Sequence, residues 1–369
     1  MPSPIARVDL YSYELSYVGG SYVMSGDRVI TALSSTVARV ATSDGLVGFG
    51  ETCPLGPSYL PAHAGGARAG LEAVAPELLG QDAADPVGVG VAMDAALLGH
   101  GYAKSAIDIA CWDIFGKATG RPVCDLIGGR RQRSFPLYVA ISLDSPEQMR
   151  SDIERHRAAG IRRFQLKLGG DPVLDGERAR AAVAATEDGE TVLGDANGGW
   201  TLRQALVAAA ATADLPRFWL EQPCATMEDS LRLAELARVP LILDEVIVDA
   251  PSLLRAWNAG CLVGVNLKLG RVGGLTKARR LRDLGEALGL GVSVEDSWGG
   301  DLTTAAVSHL AASTGPALEM VSFMNDWTCE HLAGYQPRSA GGTGAAPSAP
   351  GLGIAVDEEL LGAPFASFG

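Results

Sequence analysis

The sequence predicts an α/β chain in which an α+β module precedes a parallel barrel with its helices outside, the TIM-type architecture. Three observations predict it. The first 50 residues read as strands, the stretch to about residue 120 reads as helices, and beyond Arg133 short apolar runs alternate with Ala/Leu/Arg-rich helical stretches. Those apolar runs number eight. The polar residues that end or follow six of them, Lys167, Asp195, Glu221, Asp244, Lys268 and Asp296, are 23 to 28 residues apart, the length of one strand, one helix and two loops. A doubly wound open sheet is the competing architecture, but no Gly-x-Gly-x-x-Gly follows a first strand.

Residues 5–17 and 29–41 mix Val, Leu and Tyr with polar neighbours, and Ser43-Asp44-Gly45 leads into a further strand at 46–50; Asp-Gly between two such runs predicts a tight hairpin. Between Gly65 and Gly120, Ile107, Cys111 and Ile114 recur at three- and four-residue steps, and Gly120 followed by Pro122 stops the helix. The eight barrel strands are expected at 136–141, 163–168, 191–194, 218–220, 241–243, 264–267, 291–294 and 318–323. Near the C-terminus the small residues of 341–347 read as a flexible connector that carries the tail away from the barrel.

Composition narrows the function. The 369 residues are 47% hydrophobic and 20% charged, which fits a folded globular body. The balance of 30 Lys+Arg against 43 Asp+Glu gives a net charge of -13, which repels phosphate backbones and anionic lipid, so neither nucleic acid nor a membrane is expected as a partner. No charge-free apolar run of about 18 residues and no leader-like start are seen, so a cytoplasmic location is expected. Cys53, Cys111, Cys124, Cys224, Cys261 and Cys329 show no metal-ligand spacing and read as reduced thiols. The five histidines form no His-Glu-x-x-His, and neither a phosphate loop nor a Gly-x-Ser-x-Gly elbow occurs, which removes zinc, ATP hydrolysis and serine esterase chemistry.

In a barrel of this type functional groups gather at the C-terminal ends of the strands, so Lys167, Asp195, Glu221, Asp244 and Lys268 fall in order around one ring. Three carboxylates on adjacent strands suit Mg²⁺, a hard cation that takes oxygen donors and keeps positions for water or substrate. One lysine precedes the trio and one follows it, so they stand on opposite sides of the metal. Such a ring suits removal of a proton from carbon next to a carboxylate, because a divalent cation stabilises the enediolate charge more than the ground state. A lysine near a dication and partly desolvated loses proton affinity and can act as a neutral base near pH 7. The other lysine can return the proton, giving epimerisation, or assist departure of a β-substituent. A lone aspartate at a strand end is more often a helix cap. Five groups in this order are much harder to obtain that way, and a barrel that only bound a metal would not need the two lysines.

These residues resemble the muconate-lactonising-enzyme subgroup of the enolase superfamily over essentially the whole chain. The likeness runs through Gly48-Phe49-Gly50-Glu51, the AKSAIDIACWD run at 103–113, Gln165-Leu166-Lys167-Leu168-Gly169, Asp195-Ala196-Asn197, Glu221-Gln222-Pro223, Asp244-Glu245, Asn266-Leu267-Lys268 and Gly273-Gly274. It implies a capping α+β domain over 1–130, completed by the tail 345–369, on a modified TIM barrel over 131–344, and a homo-oligomer. It also implies Mg²⁺ bound by Asp195, Glu221 and Asp244 with Glu245 behind them, and Lys167 and Lys268 as the acid/base pair. One departure matters: the usual Lys-x-Lys is here Gln165-x-Lys167, which removes a cation beside the base and alters the contacts at position 165.

Glu51-Thr52-Cys53-Pro54-Leu55-Gly56-Pro57 with Tyr59, and Asp296-Ser297-Trp298-Gly299-Gly300-Asp301, are similar to the branch acting on proline derivatives: cis-3-hydroxyproline dehydratases and hydroxyproline betaine epimerases. The likeness implies a small amino acid substrate. Asp296 is then placed to pair with a ring ammonium, and Trp298, Tyr59 or Trp327 to offer it an aromatic face, with Asn197 and Gln165 as further contacts. Dehydration of a 3-hydroxyproline is the preferred reading, because 322–327 is richer in hydrogen-bonding groups, Asn325 and Asp326 among them, than a cage for a methylated nitrogen requires. Epimerisation or racemisation of proline or hydroxyproline betaine, N-acylamino acid or dipeptide racemisation, and cycloisomerisation remain open alternatives. Capping-domain loops at 17–26 and 53–61 are expected to close over the barrel mouth.

Overall fold

The computed structural model describes residues 2–369. Its N-terminal part is an antiparallel sheet of β1 (Ile5–Ser16), β2 (Ala32–Thr42) and β3 (Val47–Thr52), with the C-terminal strand Ala366–Phe368 added on the free side of β1. The expected Asp-Gly turn joins β2 to β3, with Gly45 at φ 90°, a conformation open to glycine at no steric cost. Three helices follow, α1 (Ala64–Val74), α2 (Pro86–Ala96) and α3 (Gly101–Thr119). α3 is rich in small residues and buried on nearly every side, because it lies between the sheet and the barrel. The Gly-x-Gly of β3 makes that possible: a Cβ on Gly48 or Gly50 would stand 2.2 or 2.0 Å from the carbonyl oxygens of Ala110 and Ala106.

The barrel comprises eight parallel strands: β4 (Tyr138–Ile141), β5 (Arg163–Lys167), β6 (Thr191–Asp195), β7 (Phe218–Glu221), β8 (Leu241–Leu243), β9 (Leu262–Lys268), β10 (Gly291–Glu295) and β11 (Leu318–Val321). Each pairs with its sequence neighbours, and among the described residues the ladder stops between β11 and β4. Alternate residues point inward. Tyr138, Leu193, Ile242 and Met320 form an apolar floor, while residues such as Val292 and Val294 turn out toward the helices. The register aligns Lys167 with Asp195, Asp195 with Glu221, and Lys268 with Glu295, so these inward side chains arrive at one level.

Five of the helices around the barrel begin at their own side-chain caps: Ser145, Asp171, Thr201, Thr226 and Asp249 each accept a backbone N–H of the first turn. The helices Leu275–Ala287 and Asp301–Ser313 begin instead at glycines, Gly274 and Gly300, which have no side chain to offer. Their orphan N–H groups are met from the N-terminal part of the chain. Asp108 of α3 accepts from Thr276 at 3.0 Å, and Glu51 of β3 accepts from Gly300 at 2.9 Å and Thr303 at 3.0 Å. These bonds fix the cap on the barrel.

The segment 341–347 differs from the flexible connector its composition suggests. Thr343–Gly344 pairs with Phe135–Pro136, and Arg130 donates to the carbonyls of Ala346 at 2.9 Å and Pro347 at 2.7 Å. A Cβ on Gly342 would stand 2.2 Å from the Gly160 carbonyl oxygen. Gly342 and Gly344, the latter placed so that a Cβ would stand only 2.6 Å from the Phe323 ring, serve close packing rather than freedom.

Candidate active site

Lys167 ends β5, and its ammonium donates to Asp195 Oδ2 at 2.6 Å; both side chains are buried. Burial alone would lower its pKa, but the Asp195 carboxylate holds the ammonium above its ordinary range. On the opposite side Lys268 ends β9 and pairs with Asp244, with Glu295 Oε1 at 3.0 Å and with the Tyr59 hydroxyl at 3.4 Å. It too is held well above its ordinary pKa, against burial, by Asp244 and Glu295. The sequence suggests a neutral base near pH 7; here the paired carboxylates favour the ammonium form of each lysine.

Asp195, Glu221 and Asp244 are buried at the ends of adjacent strands. Among the described residues no three acidic, histidine or cysteine side chains stand together as a ready-made metal site. The reason is visible in their partners. Asp195 turns to Lys167, and Asp244 turns to Lys268 and to Arg271 Nη1 at 2.6 Å. Glu221 accepts from the side-chain amides of Gln165 at 2.9 Å and Asn266 at 2.8 Å. Burial, followed by the charges of Asp195 and Asp244, pushes Glu221 well above the usual carboxylate range. Burial and the same two neighbours raise Glu245 to about 7. This dry cluster of hard oxygen donors, crowded by like charge, fits a divalent cation.

The other residues singled out in the sequence fall into three groups. Tyr59 descends from the cap between Lys268 and Asp244, its hydroxyl 3.5 Å from Asp244 Oδ2. Asn197 ties the two parts of the chain, accepting from Ser25 at 3.1 Å and donating to Glu245 at 3.0 Å. Together with Gln165, Trp298, Trp327 and Asp296 these two line a small chamber of about 40 Å³. Trp298 is almost fully buried in an aromatic cluster, its ring centroid 5.5 Å from Trp327 and 6.2 Å from Tyr22. Asp296 lines the chamber, but both its oxygens are engaged, by the Gly270 and Ser297 N–H groups at 2.7 Å each.

Asn325 stands apart. Its amide donates to Asp301 at 2.8 Å and to the Pro337 carbonyl at 3.0 Å, so it anchors the following loop and leaves no amide hydrogen for a substrate. Asp326 accepts from the Tyr335 hydroxyl at 2.8 Å and faces a separate cleft between β4 and the residues after β11.

Sequence reasoning missed two residues. Arg271, in the helical turn after β9, binds Asp244 and also donates to the Asn266 carbonyl at 2.7 Å. Glu295, the last residue of β10, accepts from Asn266 Nδ2 at 2.7 Å and from the Tyr138 hydroxyl, which rises from β4. The two-residue alternation of β10 contains the signal: Ser293 and Glu295 are in phase, whereas Asp296 lies beyond the strand.

Comparison with known proteins agrees with this geometry. Residues 23–128 match the mandelate racemase/muconate lactonizing enzyme N-terminal domain, and residues 148–360 match the enolase C-terminal domain-like family. The chain is 40% identical over 365 residues to a cis-3-hydroxy-L-proline dehydratase from Roseibium aggregatum, covering 99% of each chain. It is 26% identical to an N-succinyl-L-Arg/Lys racemase from Bacillus cereus, covering 97% of this chain and 96% of the other. A solved structure of an enolase superfamily member from Roseovarius nubinhibens ISM, complexed with magnesium, superposes with a TM-score of 0.94 at 38% identity, covering 99% of both chains. The lysine-flanked acids at the barrel mouth thus have a family: the chain belongs to the muconate-lactonizing-enzyme subgroup of the enolase superfamily.

Proposed function

We propose that this chain removes the α-proton of a proline-type amino acid and that its reaction is dehydration of cis-3-hydroxy-L-proline. The observation that carries the reading is the pair of buried lysines, Lys167 and Lys268, on opposite sides of Asp195, Glu221 and Asp244. The full-length likeness to a cis-3-hydroxy-L-proline dehydratase supports the substrate.

Asp195, Glu221 and Asp244 would hold Mg²⁺, which when bound stabilises negative charge on the substrate carboxylate as the α-proton leaves. Lys167 and Lys268 move the protons: one, in its neutral form, accepts the α-proton, and the other, as its ammonium, gives a proton to the 3-hydroxyl, which departs as water. The resulting enamine tautomerises to the cyclic imine. Tyr59 and Arg271 hold Lys268 and Asp244 in place, and Gln165 orients Glu221. Trp298 and Trp327 exclude water and present aromatic surface to the ring, and Asn197 and Asp296 shape the rest of the chamber. The cap, residues 1–130 with 345–369, closes the mouth of the barrel at 131–344.

Racemisation or epimerisation is the second reading, favoured by the same opposed lysines and by the likeness to a racemase. Free thiols at all six cysteines support a reducing, cytoplasmic setting. Among the described residues no helix is long and apolar enough to cross a membrane. Homo-oligomerisation follows the family reading alone.

Incubating the Mg²⁺-supplemented protein with proline derivatives in deuterium oxide separates the readings. Imine formation from cis-3-hydroxy-L-proline is expected. Exchange or inversion at Cα without loss of water would favour the racemase, and inertness of every cyclic amino acid would remove the substrate assignment.

A further inference from the structure

We propose that Glu295 binds the substrate's ring ammonium and so selects a free amino acid over nitrogen-acylated or uncharged analogues; this rests on the cyclic amino acid reading above and names the group that recognises the nitrogen. Its register with Lys268 places Glu295 at the level of the lysine-and-carboxylate ring. The acids lining the chamber are Glu295 and Asp296. Asp296 spends both oxygens on the backbone N–H groups of Gly270 and Ser297, so it is committed to closing the turn.

Glu295 is committed differently. Its partners are all side chains: Asn266, Lys268 and Tyr138. Asn266 and Lys268 share Oε1 and Tyr138 takes Oε2, so one of a carboxylate's about four lone-pair sites is left on Oε2, and, unlike Asp296, the group is not tied to the backbone at both oxygens. The surrounding wall is apolar and aromatic, with Tyr22, Met24, Leu55, Trp298 and Met324. A cation brought against that wall gives up hydration for apolar contact and is stabilised by a carboxylate beside it. Position 165, from which an inward side chain reaches the same polar row through Glu221 and Asn266, is a neutral glutamine. The row of Gln165, Glu221, Asn266 and Glu295 therefore carries two acids against one neighbouring ammonium, that of Lys268, which Glu295 shares with Asp244, and this suits a substrate that brings a further cation.

The probes are L-proline, which carries the ammonium and lacks the leaving hydroxyl, and tetrahydrofuran-2-carboxylate, in which an ether oxygen replaces it. Binding of each to the Mg²⁺-loaded protein is read by calorimetry. The wild type is expected to prefer L-proline by at least about tenfold, because a site built for an N–H donor rejects an isostere lacking it. Glu295→Gln, isosteric and able to keep the Tyr138 contact, should abolish that preference while leaving tetrahydrofuran-2-carboxylate binding within about twofold. Tyr138→Phe, which frees an oxygen of Glu295, should retain the preference. Equal weakening of both ligands in Glu295→Gln, an unchanged preference in that variant, or loss of preference in Asp296→Asn instead, would each overturn the role of Glu295 alone. Failure of the wild type to bind either ligand would overturn the cyclic amino acid reading itself, and the inference with it.

Discussion

Two buried glutamates, Glu51 and Glu221, keep opposite company. Glu51 lies at the joint between cap and barrel and accepts from Ser35 Oγ at 2.7 Å, from the N–H groups of Gly300 and Thr303, and from Thr303 Oγ1 at 3.1 Å. Every partner is a neutral donor, and together they form the cap that a helix beginning at Gly300 lacks. Glu221, at the barrel mouth, also takes two amide hydrogens, but it faces Asp195 and Asp244. Burial raises the pKa of both. Only at the mouth do like charges add to it. A buried acid ringed by amide and hydroxyl donors is a structural joint. One crowded by other acids invites a cation, and that difference separates architecture from chemistry more sharply than burial does.

The comparison breaks first at the lysines. Lys268→Ala or Lys167→Ala should lower turnover by at least about 10³-fold, within the range expected for a positioned proton-transfer group. Thermal stabilisation by Mg²⁺ should persist in both variants. Substantial dehydration by either variant, measured as imine formation, would mean that the mouth is not the chemical region.

At the joint the expected loss is in stability instead. Glu51→Ala leaves the Gly300 and Thr303 donors unpaired, and a fall of at least about 2 kcal/mol in unfolding free energy is expected from urea titration. Mg²⁺ should sharpen the contrast in the other direction: at about 100 times its dissociation constant it should raise wild-type stability by about 2.7 kcal/mol through linkage. Glu221→Gln should lose most of that gain and Glu51→Gln none of it. An equal Mg²⁺ effect in the two variants would erase the distinction between the regions.

How much of this was legible in the sequence follows from which interactions are local. Lys167, Asp195, Glu221, Asp244 and Lys268 could be found because barrel topology turns even spacing along the chain into adjacency around a ring. The hairpin at Gly45 and the helix end at Gly120 were legible because each depends on its own residues. Glu295 was hidden behind its neighbour: Asp296, beyond the strand, matched the spacing rule, whereas inward phase belongs to residue 295. Arg271 follows no strand-end rule, since a helical turn places it. Glu51 and Asp108 were visible as parts of motifs, but their work as caps for helices about 250 and 168 residues away exists only once the cap meets the barrel. Gly342 and Gly344 misled for the same reason, because a glycine needed for close approach and one needed for freedom look alike in sequence.

Asp108 offers the smallest and most specific test, because it repeats the Glu51 arrangement at the second glycine-started helix. Its carboxylate accepts from Thr276 N–H, and burial raises its pKa to about 7 from an ordinary 3.8. The folded chain therefore holds a proton on Asp108 that the unfolded chain has released between about pH 4 and 7. Since the native state binds more protons across that window, this group makes stability fall as pH rises through it, by up to about 1.4 kcal/mol per pH unit, and adds no slope above it. Asp108→Asn keeps an oxygen to cap Thr276 and removes the titration. Its stability, measured by urea midpoint at pH 5, 6, 7 and 8, should lose that part of the wild-type decline, whereas contributions from Asp296 and Glu245, also raised to about 7, remain in both proteins and cancel in the difference. Parallel profiles for the two proteins would show that the joint bears no cost for its buried charge, and that burial without like-charged neighbours is too weak to mark a carboxylate.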